Sequence, residues 1–211
     1  MARLESLLKS KAVILFLLSL PGWRLVFQTL TDDLGANPLE YLLLQLGKSA
    51  ITLLVITLWF SPLRLFFPQA PLVKIVLRHR RWVGVSSFVY ALAHLSLYLL
   101  DTFDLAELLK NLQKPFILFG MGGFFILLLM ASTSTNAAVR KLGAPRWKQL
   151  HRLVYVAAVL LCLHMVLKQK GDLLKGFLWF GPLALAEAYR VWHWWRTNHQ
   201  PLRTPSDTKF L

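Results

Sequence analysis

The chain has 211 residues, 56% of them hydrophobic and 16% charged, with a mean hydropathy of +0.51 and a formal net charge of +14. A soluble domain is about 45–50% apolar and roughly 25% charged, so this composition excludes a water-facing globular enzyme. Six membrane spans of about 20 residues would use about 120 residues, which leaves only short connections and no soluble catalytic domain.

In chain order, apolar stretches long enough to cross a bilayer fall at 12–30, 49–67, 82–100, 115–131, 150–167 and 173–192. They predict an all-α integral membrane protein, a six-helix bundle across 12–192. Residues 1–11 precede it and 193–211 form a tail. The first stretch is broken by Pro21, Gly22 and Arg24, and Lys9 and Lys11 before it resemble the basic start of a signal peptide. No small-x-small cleavage site follows, so a retained span is expected. Gly35, Asn37 and Pro38 mark a turn after the first span, and Gly143 with Pro145 mark another before the fifth.

The basic residues alternate from loop to loop. Seventeen of the 24 Lys and Arg, including Arg64, Arg78, Arg80, Arg81, Arg140, Lys148 and Arg190, belong to one side. The other side holds Lys48, Lys110, Lys114, Lys168, Lys170 and Lys175 with most of the acidic residues. The positive-inside rule then puts both termini in the cytoplasm. The excess of positive charge marks helix ends and needs no nucleic acid. The single cysteine, Cys162, can form neither an internal disulfide nor a metal site alone.

Six histidines carry the chemistry. His79, His193 and His199 fall in loops or at helix ends and are expected to be solvated or interfacial. His94, His151 and His164 fall within spans, where an ionisable ring is costly unless neutral, paired or bound. His94 is 12 residues into the third span, about 18 Å deep, and His164 is 13 residues beyond His151, about 19.5 Å farther out. His94 and His164 therefore share a level toward the outer face, and neutral imidazole is a common axial ligand of haem iron. Two such rings can clamp one b-type haem; two unrelated polar residues hydrogen-bonding within a bundle would give the same spacing. His151 has no equivalent partner, because Arg80 stands 14 residues before His94 where a second ligand would be. On a straight helix His151 and His164 also point about 140° apart. Gln149, water, a quinone or a haem propionate could meet His151.

The remaining candidates have simpler readings beside functional ones. Arg80 and Arg81, with Arg78, can bind haem propionates or a flavin phosphate, or can serve only as topological charges. Gly120, Gly122 and Gly123 can admit a flat macrocycle or close helix packing. The polar run from Ser132 to Asn136 reads as a capped exit from the fourth span, and Trp147, Trp179, Trp192, Trp194 and Trp195 as interfacial aromatics.

Several ordered motifs now form a pattern: Leu34-Gly-Ala-Asn-Pro38, Ser61-Pro-Leu-Arg64, Arg80-Arg-Trp-Val-Gly84, Ala93-His-Leu-Ser-Leu-Tyr98, Thr133-Ser-Thr135, Arg140-Lys-Leu-Gly143 and Trp147-Lys-Gln-Leu-His-Arg-Leu-Val-Tyr155. Together they resemble the MsrQ (YedZ) family, the haem-binding membrane subunits of a bacterial periplasmic methionine-sulfoxide reductase system. More distantly they are similar to the transmembrane domain of ferric reductases and NADPH oxidases. That resemblance implies a multi-pass protein of the bacterial inner membrane passing electrons to a periplasmic molybdopterin subunit, MsrP. The donor it implies is the quinone pool or a cytosolic flavin reductase, with FMN as a further cofactor. His94 and His164 would hold one haem b, and a second haem at His151 would need a ligand other than histidine. A histidine-relay transporter and a non-redox membrane anchor are the rival readings.

Overall fold

The structure is a computed structural model, and it describes residues 7–168 and 173–198. Among these residues all regular structure is helical. Five helical stretches are long and apolar enough to cross a membrane: Lys11–Leu30 (α1), Pro38–Phe66 (α2), Arg80–Asp101 (α4), Pro115–Ser132 (α6) and Ala144–Lys168. The last of these comprises Ala144–His151 (α8) and Leu153–Lys168 (α9). The protein is thus a multi-pass membrane protein. Short helices Pro71–Arg78 (α3), Leu105–Leu112 (α5) and Asn136–Leu142 (α7) lie in the connections. The expected sixth span forms a 26-residue helix, Leu173–Asn198 (α10), which is long enough to cross but carries Glu187, Arg190 and Arg196 and is not among the five.

Prolines set several helix starts. Pro38, Pro71 and Pro115 each occupy the first turn, where a missing N–H costs nothing. Gly35, at φ 78°, supplies the left-handed turn before α2. Consequently α2 begins at Pro38, earlier than the expected residue 49.

Helix α1 continues through Pro21, despite the break expected there. A proline inside a helix disturbs the preceding turn. Here the gap is filled from another helix: the Tyr90 hydroxyl of α4 donates to the Leu18 carbonyl at 2.9 Å and accepts from the Gly22 N–H at 2.9 Å. One phenol thus replaces the Gly22-to-Leu18 rung and ties α1 to α4.

Two closely packed helix pairs build the bundle, α2 with α4 and α6 with α9. Contacts between α4 and α6, and of α10 with α2 and α9, join them. Leu54, Leu58, Leu127, Val154, Ala157 and Leu183 meet in the central core. Ser87 donates to the Ala50 carbonyl at 2.8 Å inside the first pair. In the second, Gly122 and Gly123 face Leu160 and Leu161, so these glycines serve helix packing.

Two expectations about burial are corrected. His79 is 7% exposed, because α1 and its approach cover it; its Nε2 lies 2.9 Å from the Leu8 carbonyl. Trp179, expected among the interfacial aromatics, packs against the central core, because α10 folds onto the bundle there. His199 lies outside the described residues.

Candidate functional site: facing imidazoles between two helix pairs

His94 comes from α4 and His164 from α9, one from each helix pair. Their ring centroids are 6.3 Å apart and their planes cross at 82°. Each ring is fixed in the same way by the partner helix of its own pair. His94 Nδ1 lies 2.9 Å from the Leu43 carbonyl of α2, and His164 Nδ1 lies 2.6 Å from the Phe116 carbonyl of α6. A backbone carbonyl can only accept, so each Nδ1 carries the proton and donates. The second nitrogen, Nε2, is left with its lone pair, which is the tautomer a metal-ligating histidine requires.

Helix carbonyls normally lie beneath the side chain four residues later. That position is Gly47 for Leu43 and Gly120 for Phe116. A Cβ at Gly47 would stand 3.3 Å from His94 Nδ1, and one at Gly120 would stand 2.7 Å from His164 Nδ1. The two glycines open the cradles into which the imidazoles fit. Gly120 therefore makes room for an imidazole instead of directly for a macrocycle.

The rings also suit a flat group between them. A metal–imidazole bond is about 2 Å, so two rings on opposite sides of one metal, each adding about 1 Å to its centre, stand about 6 Å apart. Among the described residues no group of three His, Cys, Asp or Glu side chains is placed to hold an ion. Two imidazoles suit a metal whose remaining ligands come from a macrocycle.

His151 has a different environment. It ends α8, where Arg152 N donates to the Gln149 carbonyl at 3.1 Å and Tyr155 N to the Arg152 carbonyl at 3.1 Å, two tightened i to i+3 bonds between α8 and α9. The straight continuous helix assumed from sequence is thus interrupted between His151 and His164. His151 Nε2 lies 3.3 Å from Thr133 Oγ1, and the ring stacks on Trp147 at 3.9 Å. Trp147 Nε1 in turn donates to the Thr133 carbonyl at 3.0 Å. Because the Thr133 hydroxyl donates to the Leu129 carbonyl at 2.8 Å, its oxygen accepts from His151 Nε2–H. At His151, then, Nε2 is already engaged, the reverse of the facing pair.

Arg80 and Arg81 diverge. Arg81 donates to Asn136 Oδ1 at 2.7 Å. Arg80 is half-buried, and its charge acts on His151. Tyr155, Glu187 and Arg190 are its other electrostatic neighbours. Arg190 bonds Glu187 at 2.6 Å and the Tyr155 hydroxyl at 3.0 Å, linking α10 to α9 beside this group.

Sequence reasoning missed Gly47, the two accepting carbonyls and the Thr133–Trp147 support of His151. Gly47 had one signal, a glycine closing the leucine-rich run at 42–46. The carbonyls had none, because every residue has one.

This architecture has relatives. Residues 46–162 match the family model described as "Ferric reductase like transmembrane component". The chain is 38% identical over 199 residues to "Protein-methionine-sulfoxide reductase heme-binding subunit MsrQ" of Ralstonia nicotianae, covering 92% of this chain and 90% of that one. It belongs to the MsrQ family. A like-named protein of Herminiimonas arsenicoxydans is 37% identical over 206 residues, covering 94% of this chain and 93% of the relative. Another from Rhodospirillum rubrum is 40% identical over 162 residues, or 75% and 76% of the two chains. The family match spans Gly47, His94, Gly120 and His151 and stops two residues short of His164.

Proposed function

We propose that this chain is the haem-carrying electron-transfer subunit of a methionine-sulfoxide reductase system in the bacterial inner membrane, in which His94 and His164 would hold one haem b. The observation that carries the reading is the matched pair of imidazoles, each donating Nδ1–H to a helix carbonyl and keeping Nε2 for a ligand. When bound, the haem supplies a one-electron couple. The protein's own part is to fix two neutral rings in one tautomer, hold their spacing through two packed helix pairs and exclude water with apolar side chains.

In this reading α10 crosses the bilayer as the sixth span, and both termini are cytoplasmic. The basic end of the bundle, with Arg80, Arg81 and His151, then faces the cytoplasm and takes up electrons from the quinone pool or a cytosolic flavin reductase. Arg80 and Arg81 are suited to an anionic group such as the phosphate of FMN. The ligand pair lies toward the opposite end, from which electrons would pass to the periplasmic molybdopterin subunit MsrP. Repair of oxidised periplasmic proteins is the resulting activity.

The test is the optical spectrum of the purified protein in its oxidised and dithionite-reduced states. A low-spin bis-histidine signature is expected in the wild type and its loss in His94→Ala and in His164→Ala. Full haem content with unchanged spectra in both variants would overturn the ligand assignment. A colourless wild type would instead favour a transporter or a bare anchor.

A further inference from the structure

One turn beyond each facing imidazole stands a polar side chain with no assigned role: Tyr98 four residues after His94 on α4, and Lys168 four residues after His164 on α9. Residues four apart share a helix face. Both helices lead away from the basic end, so Tyr98 and Lys168 lie on the same side of the ring pair, each about 6 Å along its helix. Helical side chains lean toward their own N-terminus, which brings both back toward the rings.

The Tyr98 hydroxyl is sealed from solvent and has no hydrogen-bond partner among the described residues. Buried polar groups are nearly always satisfied, and an orphan calls for an explanation. The Lys168 ammonium lies 5.6 Å from the centre of the Phe116 ring, which is itself 6.1 Å from the His164 ring. Its charge acts on both His94 and His164. A phenol O–H and an ammonium are both donors, and the ligand class they suit is a carboxylate.

We propose that Tyr98 and Lys168 form a carboxylate-binding rim that takes the propionate groups of the haem held by His94 and His164, fixing that edge away from the basic end. The assignment rests on the ligand pair proposed above. It gives both residues a task that topology and helix packing leave open, and it places a positive charge where it favours the reduced state.

The test uses the full-length protein as wild type, Tyr98→Phe, Lys168→Gln, Lys168→Arg and a distant charge control, Lys110→Gln. Haem loss to apomyoglobin and an optical redox titration are the readouts. Tyr98→Phe and Lys168→Gln should hold haem about 10- to 100-fold more weakly, the range for losing a hydrogen bond to a charged group. At a fixed potential both should shift the oxidised-to-reduced ratio severalfold toward oxidised. Lys168→Arg should restore both properties, Lys110→Gln should change neither, and haem dimethyl ester should bind wild type and variants alike. Wild-type haem retention and titration in both Tyr98→Phe and Lys168→Gln, with the bis-histidine spectrum intact, would overturn the rim and leave the ligand pair standing. A haem-free wild type would overturn both. If Tyr98→Phe does not fold, Lys168→Gln at its exposed position decides the matter.

Discussion

Substituting alanine for Gly120 adds one methyl carbon 2.7 Å from His164 Nδ1 and 2.9 Å from Cε1. To reach the 3.4 Å of ordinary van der Waals contact the ring must retreat by about 0.7 Å. The Nδ1 to Phe116 bond, now 2.6 Å, would then stretch to about 3.3 Å and lose much of its strength. Overpacking costs about 1–3 kcal/mol, and loss of the hydrogen bond adds about 0.5–1.5 kcal/mol. The helix-propensity gain of alanine over glycine returns about 1 kcal/mol. Net destabilisation of roughly 0.5–3.5 kcal/mol is expected. The effect on the ligand should be larger than this suggests, because a site tolerates misplacement of only about 0.5 Å. Disturbing a ligand's supporting shell lowers metal affinity about 10- to 100-fold. Gly47→Ala is the internal comparison: its methyl would stand 3.3 Å from His94 Nδ1, so a small adjustment suffices. Haem content per protein and the reduced spectrum, measured on both variants in detergent, should rank wild type above Gly47→Ala and Gly47→Ala well above Gly120→Ala. Equal haem retention in the two variants, or a worse loss in Gly47→Ala, would refute the cradle argument.

Other outcomes follow from contacts elsewhere in the bundle. Tyr90→Phe strips the inserted hydroxyl from α1 and leaves Gly22 N–H and the Leu18 carbonyl unpaired, so thermal melting in detergent should show a loss of about 1–3 kcal/mol. Gly123→Ala puts a methyl 2.6 Å from Leu161 Cγ and should destabilise by about 1–3 kcal/mol. Combining it with Leu161→Ala should recover part of that loss in a double-mutant cycle, and strict additivity would show that the two sites do not press on one another. His151→Ala should preserve the bis-histidine spectrum of the facing pair and slow reduction by an added quinol or flavin donor; unchanged reduction kinetics would remove His151 from electron uptake.

Much of the architecture is legible without coordinates, for reasons particular to membranes. A helix must cover about 30 Å of hydrocarbon with apolar residues, so 12–30, 82–100 and 115–131 mark their spans directly and agree with the helices within two residues at each end. The level shared by His94 and His164 is also readable, since rise per residue is constant. Other features depend on contacts between segments distant in sequence. Pro21 within α1 reads as a breaker until Tyr90, 69 residues away, bridges Gly22 N–H and the Leu18 carbonyl in the turn beside it. His79 reads as a loop residue until the Leu8 carbonyl covers it.

Sequence by itself determined the lipid-compatible composition, most of the helices and the depth at which two histidines can meet, because all three follow from local chemistry and a fixed helical rise. Tertiary structure decided which nitrogen each imidazole presents, since that depends on which carbonyl of a neighbouring helix it reaches and on glycine four residues later letting it approach. It also separated His151 from the facing pair, because two tightened turns and the Thr133 hydroxyl give that ring a different direction and partner. These are relations between packed helices, and a linear pattern carries no record of them.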